Sequence, residues 1–204
     1  MAWAATLQHS YAPRLNIAGV ASGGTPADIA GILKNIDSNP VANAAFFAVI
    51  FMAAVGINRA YPRFLTPILN AKGVAAATSI ENGCIGKQSN GYAGPTGTFA
   101  NYETTTNPYV TPGYVATLPL VTLPQRDKPP VANVFVYHSQ TDELIPVAGV
   151  DAMVRGWCAA GSHVEYYRAL SGDHVSTELD SAQFVLAYLS SRFKQTPTVT
   201  PAGL

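Results

Sequence analysis

Two polar loops in the C-terminal half of the chain carry the side chains best suited to catalysis. Asp142 follows a β-rich, almost wholly apolar segment, 131–137, and His174 follows an alternating segment, 163–170. If both segments are parallel strands, their carboxyl ends meet at one edge of the sheet, where open α/β sheets bind ligands. A carboxylate there can fix the tautomer of an imidazole and stabilise its protonated form. The spacing therefore predicts an acid and a general base, 32 residues apart.

Each residue of this pair also has an alternative interpretation. Asp142 could simply cap the helix that follows it, and His174 could be a loop histidine without a role. Asp173 and Glu143 are the nearest alternatives for the acid. His138, beside the predicted acid, either lines the site or, as we favour, has a structural role.

A nucleophile for this pair is not recognisable in the sequence. The G-x-S-x-G turn that presents the serine of α/β-hydrolases is absent. Ser22 in the segment 19–23 stands one place too late and after the wrong strand, and Cys84 falls within a predicted insertion. The sequence contains no Walker A loop, dinucleotide fingerprint, HExxH or CxxC, so we expect neither a cofactor nor a metal ion.

The elements that position these loops alternate between strand and helix. Helices are predicted at 3–11, 25–34, 44–57, 64–72, 147–160 and 181–193, and strands at 15–21, 131–137 and 163–170. This order favours an α/β fold with a parallel sheet. The core is expected at 1–24 and 126–194, with an insertion at 25–125 and a flexible tail at 195–204.

Composition narrows the class of protein. The chain has 204 residues and a formal net charge of zero, and charged residues make up only 12%, about half the usual share. This excludes an electrostatic nucleic-acid binder. The apolar run 44–57 has 14 residues, fewer than the roughly 20 that cross a bilayer. No signal peptide is recognisable, and Cys84 and Cys158 either pair or remain two buried thiols.

Three segments together resemble the secretory lipase family: 11–28, with Tyr-Ala-Pro-Arg-Leu-Asn-Ile-Ala-Gly and Gly-Gly-Thr-Pro-Ala-Asp; 137–146, with Tyr-His-x-x-x-Asp-Glu-x-x-Pro; and 157–161, Trp-Cys-Ala-Ala-Gly. The resemblance implies a secreted, extracellular α/β-hydrolase that cleaves triacylglycerol and other carboxylic esters. It implies a partial α/β-hydrolase parallel sheet with a mainly helical cap at 25–125. Asp142 is then the triad acid and His174 the base.

The resemblance also carries expectations about the substrate and the rest of the enzyme. The apolar cap helix would shelter the acyl chain of a lipid or ester substrate and allow peripheral contact with a lipid interface. Its candidate substrate-binding residues are Phe46, Phe47, Ile50 and Phe51. Members of the family carry the nucleophile elbow just before the helix that begins here near Ala2. We therefore expect a C-terminal portion that lacks the serine and the N-terminal half of the fold and is inactive alone. The alternative is a non-catalytic remnant or lipid-binding fragment.

Overall fold

The strands of the sheet appear in the order that the sequence predicts. A computed structural model describes residues 1–39, 44–83, 97–123 and 129–194. The strands are β1 (Val20–Gly23), β2 (Val134–Ser139) and β3 (Val164–Ala169). The α-helices are α1 (Ala2–Tyr11), α2 (Ile29–Ser38), α3 (Ala44–Ala60), α4 (Ala71–Glu81), α5 (Pro112–Thr117), α6 (Val147–Ala159) and α7 (His174–Lys194). Short 3-10 helices span Thr66–Ile68, Phe99–Asn101, Pro108–Val110 and Leu118–Val121.

The three strands of the described residues form a parallel sheet in the order β1-β2-β3. Val134 of β2 lies opposite Val20 on one side and Val164 on the other. All six residues of β2 are buried, as expected for a β-branched and aromatic strand covered on both faces. The prediction of an α/β fold with a parallel sheet is therefore confirmed.

Helices pack against this sheet through alternate residues of β2. Phe135 and Tyr137 form a cluster with Tyr188 of α7, and the rings of Phe135 and Tyr188 lie 5.3 Å apart. Helix α6 contacts β2 and β3 and buries Met153 and Trp157. Because side chains alternate along a strand, Phe135 and Tyr137 lie on the same face of β2, the face that α7 covers.

The chain divides into two compact units. One comprises Met1–Asp28 and Thr122–Leu204, and the other comprises Ile29–Val121. The second unit has an aromatic core in which Phe47 and Phe51 pack against Phe99, at 5.3 and 5.7 Å between ring centroids. The predicted limits of core and cap fall near these boundaries, and the role of the second unit as a cap stays a prediction.

Two predicted helices differ from the structure for local reasons. No helix spans 64–72, because the chain forms a 3-10 turn that contains Pro67. Helix α4 begins only after Asn70, whose side chain caps it by accepting a hydrogen bond from the Gly73 amide at 2.9 Å. The helix predicted at 25–34 begins instead at Ile29. Thr25 does not cap it, since its hydroxyl bonds that of Ser22 at 2.8 Å.

Other boundaries also shift. The strand predicted at 15–21 lies at Val20–Gly23, and the last helix begins at His174 rather than near residue 181. Cys158 is exposed with a free thiol, so the expectation of a buried thiol is wrong there. Cys84 and the predicted tail at 195–204 lie outside the described residues.

Candidate active site

The loop after β2 holds the Asp142 carboxylate in a fixed orientation. Its Oδ1 accepts hydrogen bonds from the backbone amides of Leu144 at 3.0 Å and Ile145 at 2.8 Å. Only 2% of the side chain is exposed. Such a turn is typical of aspartate, whose short side chain bonds the backbone two and three residues ahead. The second carboxylate oxygen, Oδ2, is thereby turned toward the end of β3.

His174 meets that oxygen from the neighbouring strand. Its Nδ1–H donates to Oδ2 of Asp142 at 2.9 Å, and 26% of its side chain is exposed. Because β2 and β3 are adjacent and parallel, the loops at their carboxyl ends meet at one edge of the sheet. The structure thus brings together the two side chains that the sequence predicts, in the tautomer that leaves Nε2 able to accept a proton.

The two groups shift each other's pKa values in opposite directions. Burial raises the pKa of Asp142, but the hydrogen bonds from His174 and from the Ile145 amide outweigh it, so the pKa lies below its ordinary value. The hydrogen bond to Asp142 raises the pKa of His174 against an opposing effect of burial. A charged carboxylate that stabilises an imidazolium is the arrangement that a general base requires.

The alternative acids have different partners. Asp173 caps α7: its Oδ1 accepts hydrogen bonds from the amides of Val175 at 2.9 Å and Ser176 at 2.8 Å. Glu143 accepts a hydrogen bond from the backbone amide of His174 at 3.0 Å. The carboxylate that bonds the imidazole of His174 is therefore that of Asp142.

The capping of α7 is a signal that the sequence analysis missed. Asp173 and Ser176 form a reciprocal pair, because the Ser176 hydroxyl accepts from the Asp173 amide at 3.0 Å. This arrangement resembles a capping box. The Asp-x-x-Ser pattern could have placed the start of the helix at His174, which is its first residue.

Gly24 is a second feature that the sequence analysis missed. Its φ of +49° lies in the left-handed region, which favours glycine. A Cβ atom at this position would come within 2.7 Å of Cε1 of His174. The loop after β1 therefore lies directly against the imidazole, and only a residue without a side chain leaves the ring its space.

His138 anchors the acid loop. It is fully buried at the end of β2, and its Nε2–H donates to the Ile145 carbonyl at 2.9 Å. The same nitrogen lies 3.6 Å from Oδ2 of Asp142. These contacts support the structural role that we favour for this histidine.

The predicted substrate-binding residues lie in the other unit. Phe47 and Phe51 are fully buried in its aromatic core, Ile50 is 9% exposed and Phe46 is partly buried. Their role in binding an acyl chain stays a prediction. Across the described residues, no cluster of three or more His, Cys, Asp or Glu could hold a metal ion. No helix within those ranges is long and apolar enough to cross a membrane.

A parallel sheet covered by helices, with a hydrogen-bonded acid and histidine at the ends of adjacent strands, defines part of an α/β-hydrolase. The comparisons with known proteins agree. The family model described as "Secretory lipase" matches residues 1–201, so the chain belongs to the secretory lipase family.

Curated relatives and solved structures extend this match. The chain is 28% identical over 190 residues to the secreted triacylglycerol lipase LIP1 of Malassezia furfur, covering 88% of this chain and 37% of that protein. It is 27% identical over 213 residues to Lipase 10 of Candida albicans, covering 97% and 44%. The crystal structure of Candida antarctica lipase A superposes with a TM-score of 0.84 at 24% identity, over 99% of this chain and 48% of that one. The chain thus spans less than half the length of each of these proteins.

Proposed function

We propose that Asp142 and His174 are the acid and the base of a Ser-His-Asp carboxylic-ester hydrolase. The observation that carries this proposal is the 2.9 Å hydrogen bond from Nδ1 of His174 to Oδ2 of Asp142. In this mechanism Nε2 of His174 takes the proton of a serine hydroxyl as the serine oxygen attacks the ester carbonyl. The imidazolium then protonates the departing alcohol, and water releases the acid by the same steps.

The substrate we propose is a lipid ester of the triacylglycerol type. The support is membership of the secretory lipase family and the chain's similarity to relatives that are named as secreted triacylglycerol lipases. Relatives are also named as secreted, and we propose an extracellular site of action for this protein.

We propose that the unit Ile29–Val121 serves as the cap that contacts the lipid. Its support is a set of apolar side chains that stay exposed on successive short helices. Val110, Val115 and Leu120 are 70%, 59% and 51% exposed. Exposed apolar groups favour peripheral contact with a lipid interface.

We propose that the nucleophile comes from polypeptide outside these 204 residues. The sequence contains no G-x-S-x-G, and the chain matches 37% and 44% of the length of two relatives. The 204-residue chain alone is then inactive, because the acid and base cannot attack an ester without the serine that they activate.

The test compares the 204-residue chain with a polypeptide extended through the in-frame codons upstream of Met1. We expect those codons to encode a G-x-S-x-G, and a fluorophosphonate to label only the extended polypeptide. His174→Ala should lower its hydrolysis of a triacylglycerol emulsion by about 10³-fold or more. His163→Ala, at an exposed histidine before β3, is the matched control and should leave the rate unchanged.

Three results would contradict the proposal. One is an extended polypeptide that hydrolyses the ester equally well with His174→Ala. The second is labelling of the 204-residue chain itself, above all labelling that disappears with His174→Ala. The third is an upstream region that encodes no G-x-S-x-G, together with binding of lipid by a chain that the fluorophosphonate does not label. That result would favour a non-catalytic lipid-binding fragment.

A further inference from the structure

The loop that carries Asp142 contacts His174 at two points. One contact is the hydrogen bond of 2.9 Å between the carboxylate and the imidazole Nδ1. The other comes from the next residue, because Oε2 of Glu143 accepts a hydrogen bond from the backbone amide of His174 at 3.0 Å. Two successive side chains therefore hold the ring and the backbone of one histidine.

The backbone contact fills a gap that the helix cap leaves. Asp173 binds the amides of Val175 and Ser176, and the amide of Thr177 donates to the Asp173 carbonyl at 3.1 Å. The amide of His174 is the one amide of the first turn that this cap does not reach. Its acceptor is Glu143 in the loop after β2, so a hydrogen bond joins the start of α7 to the loop that carries Asp142.

The position of the imidazole depends on this hydrogen bond between Glu143 and the His174 amide. A histidine ring is placed by its backbone and by two side-chain torsions, and the bond to Asp142 constrains only the ring. If the first turn of α7 moved away from the loop, the distance from Nδ1 to Oδ2 would lengthen, since Asp142 itself is held by the amides of Leu144 and Ile145. A bond to the His174 amide opposes that movement directly.

The charge of Glu143 also stabilises the His174 imidazolium. It lies at the N-terminus of α7, where the helix dipole favours an anion. Its negative charge also adds to that of Asp142 in raising the pKa of His174. Geometry and charge therefore both favour the imidazolium that the mechanism forms.

We propose that Glu143 is a positioning residue, which holds the backbone of His174 so that its imidazole stays hydrogen-bonded to Asp142. The assignment rests on the proposed function of that pair. Glu143, which directly follows Asp142 in the chain, then has a separate role in the same site.

The test uses the low-field proton resonance of the Nδ1–H of His174 in the full 204-residue chain. Glu143→Ala removes the acceptor, and Glu143→Gln retains an oxygen acceptor without the charge. Ser176→Ala weakens the same helix end through the Asp173 cap and serves as the matched control. We expect Glu143→Ala to lose the resonance through exchange with solvent. Glu143→Gln and Ser176→Ala should keep it, and Glu143→Gln should lower the pKa of His174.

The outcomes separate a positioning role from a general contribution to folding. If Glu143→Ala retains the resonance with the exchange rate of the unsubstituted chain, the proposal is wrong. It is also wrong if Glu143→Gln loses the resonance, or if Ser176→Ala loses it as fully as Glu143→Ala. Because this readout needs no hydrolysis, it remains decisive even if the ester-hydrolase proposal fails.

Discussion

The Nδ1 of His174 and the Oδ2 of Asp142 are 2.9 Å apart although the residues are 32 positions apart in the chain. The hydrogen bond joins the carboxyl ends of two adjacent parallel strands and links the first residue of α7 to a turn after β2. Four predictions concern this pair and the unit that accompanies it.

Asp142→Asn should reduce stability in a defined pH window. The lowered pKa of Asp142 stabilises the fold above its ordinary value of 3.8, and this is lost as pH falls through the folded-state pKa. The raised pKa of His174 stabilises the fold below 6.5, and this is lost as pH rises through the folded-state pKa. The substitution should therefore lower the free energy of unfolding by about 1–3 kcal/mol, most strongly between those two values.

Urea unfolding over a pH series measures this difference. Asp180→Asn changes an exposed carboxylate of α7 and should show no such window. A loss that is constant with pH in Asp142→Asn would argue against an ion pair between the two residues.

Gly24→Ala should displace the imidazole of His174. The added methyl group would meet Cε1 at 2.7 Å, while φ of +49° makes the backbone unfavourable for alanine. Gly161→Ala is the matched control, since its φ is +88° and its Cβ would meet no atom of the described residues within 4 Å.

Both glycine variants should lose about 1–2 kcal/mol of unfolding free energy, because alanine is unfavourable at a positive φ. Only Gly24→Ala should also lower the pKa of His174, as measured by NMR titration. An unchanged His174 titration in Gly24→Ala would show that the loop after β1 does not constrain the ring.

Glu103→Gln should stabilise the unit Ile29–Val121 at neutral and alkaline pH. Glu103 is 5% exposed, its Oε1 accepts a hydrogen bond from Tyr114, and its Oε2 has no partner among the described residues. Burial raises the pKa of Glu103 to about 7. The contribution of Glu103 to stability should therefore be most favourable below the ordinary value of 4.5 and fall as pH rises to about 7, by an amount on the order of 3 kcal/mol.

The comparison is made by urea unfolding at acid and alkaline pH. Glu103→Gln should match the unsubstituted chain below pH 4.5, where Glu103 is protonated, and exceed its stability above pH 7. Glu81→Gln, at an exposed glutamate of the same unit, should have no such effect. If Glu103→Gln and the unsubstituted chain were equally stable at every pH, the folded protein would not bury Glu103 in its charged form.

Phe51→Ala should lower the unfolding free energy of the second unit by more than a surface substitution does. Phe51 is fully buried and its ring packs on Phe99 and Tyr102 at 5.7 and 5.0 Å. Loss of such a ring costs about 3–5 kcal/mol, as measured by chemical denaturation. Phe193→Ala, at an 82% exposed ring, should cost little. A small effect of Phe51→Ala would mean that this ring contributes little to the core and would leave a role in acyl binding open.

Much of the site could be predicted because its signals are local. The β-rich segments before Asp142 and His174 mark two parallel strands, and parallel strands present the loops at their carboxyl ends on one edge. That rule predicts that Asp142 and His174 lie close together without any knowledge of distances. The resemblance to the family is also carried by local motifs, at 11–28, 137–146 and 157–161.

The functions of neighbouring acids could be separated only in three dimensions. Asp142, Glu143 and Asp173 are all carboxylates beside the predicted site, and their spacing does not state which one faces the imidazole. The backbone directions at the end of β2 and the start of α7 decide that Asp142 bonds the ring, Glu143 the His174 amide and Asp173 its own helix.

By itself, then, the sequence determined the parallel α/β architecture through its periodicity, the family through its motifs, and the meeting of Asp142 and His174 through their strand-end loops, because these signals are encoded locally. The tertiary structure decided which contacts those residues make. The close approach of Gly24 to His174 and the burial of Phe47 and Phe51 depend on packing between segments distant in the chain. Residue type alone does not specify such packing, because a glycine or a phenylalanine occupies many environments and only the folded chain selects one of them.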